Sequence, residues 1–224
     1  MKKLKLVVII LLVFMCFGCG SKKQVKENLL GIDFKTKGNI ASLSEYETTN
    51  PVVAMRIENY GAIVIELYPE KAENTVNNFI SLVKSGFYDN NTFHRLVPGF
   101  VLQGGDPTGT GSGGPGYTIK GEFKSNGYDN DLKHQKRIVS MARSSDNNSG
   151  GSQFFIMLEE ADYLDGEYAA FGKVIDGWKI IEKIEENEQV KDQSTGLLSN
   201  NLTIKKAVVD TKGKEYSEVE KIEK

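Results

Sequence analysis

The sequence predicts a mainly β domain, an antiparallel barrel of about eight short strands with two α-helices plugging its ends. Three observations predict it. Short apolar segments recur from residue 51 onward, several alternating with a period of two. Loops rich in Gly, Asn, Ser and Asp separate them. Only two stretches carry helical spacing, so no regular strand–helix–strand alternation arises.

Order begins at Pro51. Val53, Met55 and Ile57 alternate, then Ile63, Ile65 and Leu67 do so after the turn Glu58-Asn59-Tyr60-Gly61, which makes a β-hairpin with one buried face. Pro69 opens a helix in which Ala72, Val76, Phe79, Ile80 and Val83 share one side, and Gly86 ends it. Further strand-like segments lie near 93–97, 100–103, 117–119, 138–142, 153–158 and 169–174. A second helix is expected over 177–186, with Trp178, Ile181 and Ile184 together, and a closing strand over Leu202 to Val209. The expected domain runs from residue 51 to 212, and the charged tail of residues 213–224 should fray.

The N-terminus is a targeting signal. Lys2, Lys3 and Lys5 precede an unbroken apolar run from Leu6 to Phe17, short for a membrane span, and Gly18-Cys19 follows. This resembles the lipobox of bacterial lipoproteins, although Cys16 stands where Leu is usual. The resemblance implies that residues 1–18 are removed and Cys19 is diacylated, holding the protein on the outer face of the cytoplasmic membrane of a bacterium; secretion without an anchor is the alternative. Residues 19–50 would then be a lipidated start and a flexible spacer. Removing residues 1–18 leaves 25 basic and 30 acidic side chains, a net charge of −5. That balance disfavours nucleic acid and an electrostatic hold on anionic lipid, so only the acyl chains would grip the membrane.

Composition excludes several classes. The only cysteines are Cys16 and Cys19, and the only histidines are His94 and His134, so no disulfide scaffold or zinc module can be built in the body. Gly109-Thr110-Gly111-Ser112-Gly113-Gly114 fits G-x-G-x-x-G, but Pro115-Gly116 and a strand-like segment follow it where a helix would be needed. It is expected to be a flexible surface loop, as is Asp146 to Gly151, which has too few carboxylates for calcium. No nucleophile elbow is present, and His94 beside Arg95 is badly placed for a general base.

Two segments call for chemistry. One runs from Phe93-His94-Arg95 through Phe100 to Gln103-Gly104-Gly105-Asp106; the other joins Ser140-Met141-Ala142-Arg143 to Gly151-Ser152-Gln153-Phe154-Phe155. Polar side chains alternate there with large aromatics on strand-like stretches. Arg95 in such surroundings needs a partner or a ligand. An apolar floor with one guanidinium at its rim suits a small apolar ring attached to a polar amide.

These segments resemble the cyclophilin family of peptidyl-prolyl cis/trans isomerases. The run Tyr88, Asn91, Phe93-His94-Arg95, Phe100 and Gln103-Gly104-Gly105 matches the family signature, as do Tyr163-Leu164-Asp165-Gly166 and Phe171-Gly172-Lys173-Val174 downstream. The likeness spans roughly residues 51–210. It implies a closed eight-stranded antiparallel barrel capped by two helices, acting on proline-containing polypeptides as a monomer, with no metal and no cofactor. It assigns catalysis to Arg95, Phe100 and Gln103. Phe100, Val101, Phe155 and Leu164 would form the proline pocket, with Tyr168 at its edge and His94 near the ring. The Arg143 backbone would pair with the residue before proline, and Ala142, Ser144 and Gln153 would line an adjoining groove. Val101 is smaller than is usual there, Tyr168 replaces a common His, and Tyr163 stands where Trp is frequent, so cyclosporin binding should be weak. A non-catalytic module that captures proline segments is the rival reading.

Overall fold

The structure, a computed structural model, describes residues 42–223. The expected signal peptide, the lipidation site Cys19 and the first part of the spacer lie outside the described residues.

Strands β1 (Val52–Ile57) and β2 (Gly61–Leu67) form the expected hairpin, pairing Val53 with Ile65 and Met55 with Ile63. Both of its faces are buried rather than one, because Leu43 packs with Val52, Ala54 and Val64 on the side away from the barrel core. Then come helix α1 (Glu73–Lys84), β3 (Thr92–Val97), β4 (Val101–Asp106), the two-residue β5 (Tyr117–Thr118), β6 (Ile138–Met141), β7 (Phe154–Met157) and β8 (Ala170–Asp176). Helix α2 (Trp178–Asn187), β9 (Val190–Asp192), β10 (Leu197–Asp210) and β11 (Ile222–Glu223) complete the chain. The order β1-β2-β8-β6-β7-β4-β3-β10 closes on itself through β1 and β10, giving an eight-stranded antiparallel barrel, with β9 added beside β10. The interior is filled by Val53, Met55, Phe93, Leu102, Phe154, Ile156 and Phe171, all fully buried. Val76, Phe79, Ile80 and Val83 of α1 close one end, and Trp178, Ile181 and Ile184 of α2 join the same core.

Helix α1 starts at Glu73 rather than at Pro69, because Tyr68 to Ala72 is a turn in which Lys71 N–H and Ala72 N–H donate to the Tyr68 carbonyl. The cap comes from far along the chain. The buried Glu122 carboxylate accepts the Asn74 N–H at 2.9 Å, and the Thr75 N–H and hydroxyl at 2.6 Å each. It supplies acceptors that Ala72 at the helix boundary lacks, and its charge suits a helix N-terminus.

Both ends of the domain depart from expectation. The spacer gives way to packed chain by Ser42: Leu43 is buried, and the Lys212 ammonium donates to the Leu43 and Tyr46 carbonyls at 2.7 and 3.1 Å. The tail does not fray. Tyr216 and Val219 pack on the core, the Asn74 amide exchanges two 2.9 Å bonds with the Glu220 backbone, and β11 pairs with β5. Its charged composition hides enough apolar and pairing groups to be held.

Candidate active site

A bulge in β3 sets up the site. The β3–β4 register runs from Phe93 opposite Gly104 to Arg95 opposite Gln103, skipping His94. The extra residue lets Phe93 point into the barrel while Arg95, two positions on, faces the outer surface half-buried. The rung continues outward, with Gln103 opposite Phe155 and Phe155 opposite Ser140. One line of residues across β3, β4, β7 and β6 thus carries guanidinium, amide, phenyl ring and hydroxyl. Gly104 and Gly105 allow the strands to approach this closely: a Cβ on Gly104 would meet the Phe93 ring at 2.8 Å, and Gly105, at φ +88°, would press into the Ser152 carbonyl.

Arg95, Phe100, Val101, Gln103, Ala142, Arg143, Phe155, Leu164 and Tyr168 line a cavity of about 260 Å³. Its floor belongs to a small apolar cluster outside the barrel, comprising Val101, Phe155, Met157, Leu164 and Ala170 with Phe100 and Tyr168 packed against it. Tyr168 meets Phe155 edge-on at 5.6 Å. A second cavity of about 310 Å³ adjoins it and includes Gln103, Ala142, Arg143, Ser144 and Gln153 among its lining. The sequence-based set therefore converges, with two exceptions. His94 is buried and lines neither cavity, and neither ring nitrogen meets a partner among the described residues. Tyr163 is 71% exposed and stacks on Phe100 at 6.1 Å, outside both linings.

A hydrogen-bond relay crosses the two cavities. Arg95 Nη1 donates to Gln103 Oε1 at 3.1 Å, Gln103 Nε2 to Gln153 Oε1 at 3.0 Å, and Gln153 Nε2 to the carbonyls of Gly111 and Gly113 at 3.0 and 2.9 Å. Arg95 Nε donates to the Thr195 carbonyl at 2.7 Å. Burial lowers the Arg95 pKa, but a guanidinium stays cationic at any working pH. Among the described residues no acceptor takes its Nη2 hydrogens, and the residue lines the first cavity.

The glycine-rich loop is more ordered than its composition suggests. Asp106 accepts from Thr108 N–H, Thr108 Oγ1, Thr110 N–H and Gly111 N–H at 2.5–3.0 Å. Burial alone would raise the Asp106 pKa, yet hydrogen bonds from Thr108, Gly113 and Gly111 outweigh it and hold the carboxyl at about 2.

Beneath the first cavity lies a group that sequence reasoning missed. His134 Nε2 is 3.0 Å from Ser140 Oγ, and its Nδ1 is 3.1 Å from Asp165 Oδ1. The arrangement has the connectivity of a hydrolase triad, but Ser140 is fully buried and no substrate could reach it. Among the described residues, no three His, Cys, Asp or Glu side chains gather as a metal site would require.

Residues 52–209 match the family model for cyclophilin-type peptidyl-prolyl cis-trans isomerases. The chain belongs to the cyclophilin family. Its relatives include peptidyl-prolyl cis-trans isomerase B of Bacillus subtilis, 46% identical over 136 residues covering 61% of this chain and 92% of that protein. A Helicobacter pylori peptidyl-prolyl cis-trans isomerase is 39% identical over 151 residues, 66% of this chain and 90% of its own. The crystal structure of a Cryptosporidium parvum cyclophilin, determined in the presence of the dipeptide Ala-Pro, is 36% identical with a TM-score of 0.61, covering 71% of this chain and 98% of that one. The activity of this cyclophilin is accordingly peptidyl-prolyl cis-trans isomerisation.

Proposed function

We propose that this cyclophilin turns X-Pro bonds in proteins folding outside a bacterial cytoplasmic membrane, with Arg95 as the donor that stabilises the twisted amide. The observation that carries the catalytic part is the Arg95 guanidinium, fixed by Gln103 and Thr195 at the rim of an apolar cavity floored by Phe155. Twisting an amide costs about 18–20 kcal/mol because resonance is lost. At the twist the prolyl nitrogen becomes pyramidal and regains a lone pair. A cationic N–H aimed at it stabilises the twisted form and hardly affects the planar one, which is differential binding without a nucleophile. An acceleration of about 10⁵ needs roughly 7 kcal/mol. One hydrogen bond supplies part of this, and the rest comes from Phe100, Val101, Phe155 and Leu164 gripping the ring while the preceding carbonyl rotates. Gln103 holds a substrate carbonyl, the Arg143 backbone pairs with the residue before proline, and Ala142, Ser144 and Gln153 take its neighbours.

The decisive assay is protease-free prolyl exchange on the purified protein beside Arg95→Ala. Fast exchange in wild type, with a large loss in the variant, supports the reading. Peptide binding without catalysis would instead make the protein a capture module. Membrane attachment rests on Gly18-Cys19 alone. A fatty-acid analogue should label wild type and not Cys19→Ala; equal labelling would remove the anchor. Tyr163 supports the weak cyclosporin affinity expected here, and Tyr163→Trp should strengthen it.

A further inference from the structure

The ninth strand and the turn after it have no counterpart in the expected barrel, yet they end against Arg95. Asp192 Oδ1 accepts from Ser194 N–H at 2.9 Å and from Ser194 Oγ at 2.7 Å, and its backbone carbonyl accepts Gly196 N–H at 2.7 Å. These bonds close a five-residue turn from Asp192 to Gly196 and leave the Thr195 carbonyl directed at Arg95 Nε, 2.7 Å away. The turn is locked to β3 as well. Leu96 N–H donates to the Gly196 carbonyl at 2.8 Å, and Leu197 lies opposite both Arg95 and Asp192.

We infer that the Asp192–Gly196 turn is a positioning element for the Arg95 guanidinium, acting through the Thr195 carbonyl. This deepens, and rests on, the reading of Arg95 as the donor. A planar guanidinium held only by Gln103 could still pivot about that single bond. A second bond on its Nε edge fixes the plane of a guanidinium that lines the cavity. Gly196 is the residue the geometry requires. It sits at φ +77°, and a Cβ there would come to 2.7 Å from Val97 Cγ2, 2.9 Å from the Leu96 carbonyl and 3.3 Å from Arg95 Cγ. Any side chain would push the turn away from Arg95 or displace the arginine stem itself. Asp192 contributes differently, since its carboxylate holds Ser194, and Ser194 precedes the carbonyl that does the aiming.

The test uses purified full-length protein with Asp192→Ala, Asp192→Asn and Gly196→Ala. Two measurements are made: kcat and KM by protease-free exchange, and hydrogen exchange of the Arg95 Nε–H by ¹⁵N NMR. Since the aimed donor acts only on the twisted amide, Gly196→Ala should lower kcat about tenfold or more with KM within about twofold. The Arg95 Nε–H should be protected in wild type and exchange about tenfold faster in that variant, as expected when its acceptor is lost. Asp192→Ala should show smaller changes of the same kind, and Asp192→Asn, whose amide oxygen still accepts from Ser194, should restore most of them. If Gly196→Ala fails to fold, the Asp192 pair carries the test. Unchanged kcat and unchanged Nε–H protection in Asp192→Ala would overturn the inference, as would an Arg95 Nε–H that exchanges in wild type like that of a solvated arginine. A wild type without isomerase activity would refute the donor role, while the Nε–H measurement would still report on the positioning.

Discussion

The ring of His134 lies under that of Phe155, centroids 6.1 Å apart and planes 22° from parallel, and is fixed there by Asp165 on one nitrogen and Ser140 on the other. The floor of the first cavity is therefore a layered stack. A buried polar group with both nitrogens satisfied holds the phenyl ring in place.

That stack should make stability depend on pH. Burial lowers the pKa of His134 against the opposing pull of Asp165, and burial also lowers that of His94. The unfolded chain then binds more protons than the native state as pH falls through the ordinary value of 6.5. Both contributions are complete above that value and are lost progressively below it. Denaturant unfolding at a series of pH values between about 8 and 5 should show declining stability. His94→Gln with His134→Gln should flatten the slope; an unaltered slope would assign it elsewhere. Asp106, held at about 2, contributes in a separate and more acid window, with stability kept above 3.8 and lost toward about 2.

Arg95→Ala should lose about two decades of kcat/KM, roughly 3 kcal/mol of transition-state stabilisation, with little change in melting temperature. Arg95 is half-buried on the outer face of the barrel and packs no part of its interior, so catalysis and stability should separate. Equal activity in the two proteins would leave the family assignment intact and remove the mechanism.

Glu122→Ala should do the reverse. The buried carboxylate holds two backbone N–H groups and one hydroxyl at the start of α1, and their loss should cost about 2 kcal/mol by denaturant unfolding. Turnover per folded molecule should hardly change, because Glu122 lines neither cavity.

Deleting residues 213–224 removes β11 and the packing of Tyr216 and Val219, with an expected loss of about 2 kcal/mol. The backbone amides of Tyr117 and Thr118 should exchange faster. Since both residues line the second cavity, KM for longer peptides should rise more than KM for a dipeptide-length core. Unchanged exchange at β5 would mean that the tail does not brace it.

Some of this protein was legible from local pattern alone. Alternation over Val53 to Ile57 and Ile63 to Leu67 marks a hairpin because side chains on a strand face opposite sides, and the spacing of Val76, Phe79, Ile80 and Val83 marks α1 because a helix repeats every 3.6 residues. The motif residues Arg95, Phe100, Gln103, Gln153 and Phe155 were legible through family resemblance, which carries tertiary information in sequence form. His134 was not: it reads as one histidine among lysines, and its partners lie 6 residues away at Ser140 and 31 away at Asp165.

What the sequence by itself determined is the type of each long element and one face that it must bury, since periodicity and turn residues act over a few neighbours. That the β1–β2 hairpin buries its other face too depends on Leu43 packing against it. The tertiary structure decided which distant groups meet. Glu122 caps a helix 47 residues earlier, the Thr195 carbonyl reaches Arg95 across 100 residues, and the tail returns to pair with β5. The first two contacts join a backbone group to a side chain and the third joins backbone to backbone, and in each the partner is chosen only when the barrel closes. His94 illustrates the same limit. Its place beside Arg95 in the chain suggests the pocket, but the β3 bulge sends the two side chains into different surroundings.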